Sequence, residues 1–85
     1  MYEVNYGYID GVIGGDGEEQ DAYILGVDGP LDSFSGELIA VIYRDGDNET
    51  KWVVAPAGSQ FTPEEIRRRV DFQEKYFHSY IELID

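Results

Sequence analysis

Apolar and polar residues follow a strand-like pattern through residues 1–57 and then switch to helical spacing, with no linker or internal repeat between. Tyr6 to Ile13 reads as a strand in which Tyr6 and Tyr8 share a face and the glycines permit bending. Gly14-Gly15-Asp16-Gly17 is a turn, Asp21 to Val27 a second strand, and Asp28-Gly29-Pro30 breaks it. After a short loop, Gly36 to Arg44 carries the run Leu38-Ile39-Ala40-Val41-Ile42-Tyr43, apolar on both faces, which predicts a central strand. Asp45-Gly46-Asp47-Asn48 turns the chain, and Lys51 to Ala55 returns as the other arm of a hairpin.

Thr62-Pro63-Glu64-Glu65 is a helix start: a capping threonine, a proline at the first helical position, and a glutamate three residues after the cap. The spacing predicts a helix over 62–83 with Ile66, Val70, Phe77, Ile81 and Ile84 on one stripe. Arg67, Arg68 and Arg69 follow two glutamates, a spacing that suits the pairs Glu64–Arg68 and Glu65–Arg69. The predicted fold is mainly β with one C-terminal helix. It is a small OB-like β-barrel or strongly twisted antiparallel sheet of about 4–5 strands, packed by the helix as a single domain.

Composition narrows the function classes. Eighty-five residues suffice for one modest core, and the hydrophobic fraction of 42% is that of a folded globule. There is no cysteine, which removes disulfides and thiolate metal sites, and no apolar run of spanning length, so a cytoplasmic protein is expected. The net charge of −12 opposes binding to nucleic acid or anionic membranes, because phosphate recognition rests on lysine and arginine.

Two acidic turns carry the candidate chemistry: Asp16, Glu18 and Asp21 in one, and Asp45, Asp47 and Glu49 in the other. Carboxylates crowded this closely repel one another unless they are solvated or hold a cation. Neither turn is an EF-hand loop: the sixth and twelfth positions are Asp21 and Val27 counted from Asp16, and Thr50 and Pro56 counted from Asp45. Oxygen ligands without cysteine favour magnesium, manganese or calcium over zinc. Taken singly, each turn is more often a solvated loop. Together, with tyrosine hydroxyls and Lys51 nearby in the predicted hairpin, they suit phosphate held through metal ions.

The segments Asn5-Tyr6-Gly7-Tyr8-Ile9 and Asp16-Gly17-Glu18-Glu19-Gln20-Asp21 resemble the soluble, metal-dependent inorganic pyrophosphatases, a short bacterial branch in particular. The similarity continues through Lys51-Trp52-Val53-Val54-Ala55-Pro56 and Phe72-Gln73-Glu74-Lys75-Tyr76-Phe77. The resemblance implies a five-stranded OB-type barrel and magnesium-dependent hydrolysis of diphosphate, with manganese as a possible replacement. It assigns Asp16, Asp21, Asp45, Asp47 and Glu49 to metal and Glu18 to activation of the attacking water. Lys51, Tyr6 and Tyr76 fall to phosphate. Glu18 stands where the family has aspartate, Phe77 where it has lysine, and the resemblance begins after the family's N-terminal hairpin with its basic ligands. Arg44 or Lys75 is the candidate replacement for a missing cation. Two alternatives follow: a catalytically impaired metal- or phosphate-binding domain, and an acidic domain for a basic protein partner. An incomplete barrel would leave an edge near Lys51 or Tyr6, which predicts a homodimer.

Overall fold

The computed structural model describes residues 4–14, 17–27, 36–46, 50–76 and 78–84. Five strands form one sheet: β1 (Val4–Ile13), β2 (Glu19–Leu25), β3 (Glu37–Arg44), β4 (Thr50–Ala55) and β5 (Ser79–Leu83). One helix, α1 (Pro63–Glu74), packs against it. The order across the sheet is β1-β2-β4-β3-β5. The protein is therefore mainly β with a helix on the sheet, as its periodicity predicts.

The sheet is mixed, with one parallel pairing among antiparallel ones. The β3–β4 hairpin folds β4 inward beside β2, and the two run parallel with Ala22 opposite Trp52 and Tyr23 opposite Val53. The other three pairings are antiparallel. β4 is thus central, so Lys51 does not lie on an edge strand; Tyr6 does, because β1 ends the sheet. Among the described residues β1 and β5 do not pair with each other, and the ladder stays open at both ends.

Alternation decides which face is buried. Val53 and Ala55 of β4, Ala40 and Ile42 of β3, and Tyr23 and Leu25 of β2 are all fully buried. Ile66 and Val70 of α1 close over this row, with Phe61, Ile39 and Ile81 packed at its margins. Each valine, leucine or isoleucine of this core contributes about 1.5–3 kcal/mol when fully removed from water. The helix begins as its sequence requires. The Thr62 hydroxyl accepts from the Glu65 amide at 3.1 Å, and the Glu65 carboxylate accepts from the Thr62 amide at 3.1 Å.

The helix does not end as expected. It stops at Glu74, and Ser79–Leu83 becomes β5, antiparallel to β3 with Ile42 opposite Ile81 and Tyr43 opposite Tyr80. The Tyr-Ile sequence there suits a strand at least as well as a helix, and the open edge of β3 supplies ladder hydrogen bonds that a helix would forgo. The Tyr43 and Tyr80 rings stack at 5.3 Å, and Arg67 ties α1 to the new strand by donating to the Ser79 hydroxyl and carbonyl at 2.8 and 2.7 Å. Arg69 lies over the Phe61 ring at 5.3 Å. The predicted stripe residue Phe77 lies outside the described residues. No helix among the described residues is long and apolar enough to cross a membrane.

Candidate functional site

At one end of the buried row the apolar side chains give way to polar ones on the same face. Lys51 continues the inward alternation Ala55, Val53, Lys51 of β4, and its residue is only 4% exposed. The parallel register sets Asp21 one step before Ala22, just as Lys51 stands one step before Trp52. The two side chains meet in an ion pair with Nζ 2.6 Å from Oδ2. Asp21 keeps about a third of its side chain in water. Antiparallel pairing with β1 brings Tyr8 opposite Asp21 and Tyr6 opposite Tyr23. The Lys51 ammonium lies 5.8 Å from the centre of the Tyr6 ring. Burial holds the Tyr6 hydroxyl above its usual pKa, Lys51 pulls it down and Asp21 pushes it up, with a net rise. The Tyr6 O–H is therefore a proton donor across the neutral range.

Gln20 fixes the backbone beneath this pair. Its buried amide donates to the Thr50 carbonyl at 2.6 Å and the Asp21 carbonyl at 3.0 Å, clamping the start of β4 to β2.

A second ionic cluster lies deeper. Glu74, at the last turn of α1, is fully buried and accepts from the Tyr23 hydroxyl at 2.6 Å. It also accepts from Arg44 Nη2 at 2.6 Å and Nε at 3.2 Å, a two-pronged pair. Burial pushes the Glu74 carboxyl up, but the Arg44 and Tyr23 hydrogen bonds and the charges of Arg44 and Lys51 together bring it below the usual carboxylate range. The Arg44 pKa rises through its bond to Glu74, and that of Tyr23 rises through burial and the same carboxylate. No buried side-chain polar atom among the described residues is left without a partner.

Of the residues expected to form a site, Tyr6, Asp21 and Lys51 come together. Glu18 is exposed in the β1–β2 turn, where its carbonyl accepts from the Gly14 amide at 2.7 Å. Asp45 is exposed in the β3–β4 turn, with its Oδ2 3.6 Å from His78 Nδ1. Tyr76 is 73% exposed just beyond α1, with the Lys75 ammonium 5.3 Å from its ring centre. Asp16, Asp47 and Glu49 lie outside the described residues, and among those described no three acids or histidines gather into a cation site. Arg44, expected as a substitute phosphate ligand, is instead bound to Glu74.

Glu74, Tyr23 and Gln20 are not among the residues that the sequence motifs mark for a site. The signal for Glu74 was present: with Ile66 and Val70 it completes a four-residue spacing that points a carboxylate into the core. Arg44 follows Ala40 and Ile42 on the inward face of β3 in the same way. Compared with protein-family models, curated proteins and solved structures, the chain matches none.

Chemically, the outer cluster offers an ammonium and a phenol hydroxyl for an oxyanion. Beside them is a carboxylate one-third exposed, of a kind able to take a hard cation or a proton.

Proposed function

We propose that this protein is a magnesium-dependent hydrolase of diphosphate, akin to the inorganic pyrophosphatases. The supporting observation is the convergence of Tyr6, Asp21 and Lys51, which come from three strands and lie far apart in sequence. In this reading Lys51 and the Tyr6 hydroxyl hold phosphate oxygens, and Tyr76 reaches the same ligand from the end of α1. Asp21 is an oxygen donor of the kind magnesium or manganese takes, and Asp16, Asp47 and Glu49 are the partners the reading requires, with Asp45 beside them. The cation, when bound, screens phosphate charge and acidifies water. Glu18 accepts the proton of the attacking water.

A second reading draws on the state of the cations: Lys51 is held by Asp21, and Arg44 by Glu74. A domain that binds phosphate or metal without turnover fits that arrangement. The deciding measurement is phosphate release from pyrophosphate with and without magnesium or manganese. The hydrolase reading expects cation-dependent release that Asp21→Ala lowers by roughly 100-fold or more. Release no greater than a protein-free blank removes it, and a cation-dependent rise in melting temperature without release favours the second.

A further inference from the structure

The last strand of the sheet, β5, has β3 on one side and no strand on the other among the described residues. The phase of its ladder shows which backbone groups the open side presents. The Ile84 amide donates to the Ile39 carbonyl at 2.9 Å, and the Asp45 amide donates to the His78 carbonyl at 2.7 Å. His78 and Ile84 therefore face β3, and by alternation so do Tyr80 and Glu82. Ser79, Ile81 and Leu83 turn their N–H and C=O groups outward. The Ser79 carbonyl agrees with this phase, because it accepts from Arg67 of α1 and not from β3.

We propose that the open edge of β5 takes an extended segment of a partner protein in which lysine or arginine alternates with apolar residues. The added strand bonds through its backbone to Ile81 and Leu83, and its side chains fall beside those of β5. On the core face the neighbours are Ile81, packed at the margin of the core, and Leu83, 42% exposed, which suit an apolar residue. On the other face they are Tyr80, 59% exposed and stacked on Tyr43, and the exposed Glu82. A carboxylate beside an aromatic ring suits a cation. Charge separates this occupant from a second copy of the chain. At −12 each, two copies repel, whereas a basic strand is drawn in. Arg67 already brings a cation to the Ser79 end, so the docking segment takes the end at Ile81 and Leu83. This edge lies across the sheet from Tyr6, and the proposal stands apart from the hydrolase reading.

The test is fluorescence anisotropy of a short labelled peptide, alternating lysine and valine, titrated with the full chain. Binding is expected. It should be lost for the glutamate–valine counterpart and for a peptide with its lysines and valines in separate blocks. Leu83→Pro removes an outward N–H without removing a β3 bond, and should weaken binding at least about tenfold. Glu82→Gln should weaken it roughly fivefold. The peptide supplies a further variant that leaves the protein untouched. N-methylation of one alternate set of its amides should abolish binding and of the other set should spare it, because only one set faces β5. No binding of the alternating peptide, equal binding of the block peptide, or equal effects of the two methylation patterns overturns the proposal. So does a dimer in light scattering that Leu83→Pro dissociates, which gives the edge to a second copy.

Discussion

Asp21–Lys51 and Glu74–Arg44 are acid–base pairs of similar geometry, each at 2.6 Å and each beside a tyrosine, yet their surroundings give them different work. The Glu74 carboxylate is wholly inside, its oxygens filled by Arg44 and the Tyr23 hydroxyl, and it pins the end of α1 to β2 and β3. The Asp21 carboxylate looks out from the end of the same row, one-third exposed, with Tyr6 beside its partner. The distance between the two atoms does not distinguish the pairs; access of water to the acid does.

The contrast is most severely tested by removing Glu74. Glu74→Ala leaves Arg44 charged in a site that gives it only 8% exposure, and should cost about 3–5 kcal/mol in urea denaturation. Replacing both partners, as in Glu74→Leu with Arg44→Met, should recover much of that loss, because no buried charge is then left alone. A double variant as unstable as Glu74→Ala would show that the pair itself, not the stranded arginine, holds the helix end.

Lys51→Met should be milder, about 1 kcal/mol in the same measurement, since Asp21 can turn to water when its partner is lost. A cost equal to that of Glu74→Ala would erase the distinction between the two pairs. The smallest expected effect is in acid. Glu74 is held below the ordinary carboxylate range, so between that lowered value and about pH 4.3 the unfolded chain binds more protons than the folded one. Stability from this group is complete above that window and is lost as pH falls through it. Glu74→Gln should therefore flatten the acid limb of the stability curve, read from urea midpoints at successive pH values. An unchanged slope would mean that the Glu74 carboxyl titrates alike in the folded and unfolded chains.

Much of the fold was legible because the signals for it are local. The alternation in Lys51, Val53 and Ala55 orients β4 without reference to the rest of the chain, and the Thr62–Glu65 cap is set by residues three apart. The end of α1 was not legible, because residues 79–83 fit either period and only the open edge of β3 chooses between them. The site divides in the same way. The motif singled out Tyr6, Asp21 and Lys51, whereas Glu74 is marked only by its four-residue spacing from Ile66 and Val70.

Sequence by itself determined the strands of the first two-thirds, the start of the helix and the residue types at the inner end of the sheet. Tertiary structure decided which charges would meet. The parallel pairing of β2 with β4 sets Asp21 against Lys51, and the seating of α1 carries Glu74 to Arg44, 30 residues away. A periodic pattern can aim a side chain inward, but it holds no information about which distant element will stand opposite. A buried charge is stable only with the partner that this placement supplies.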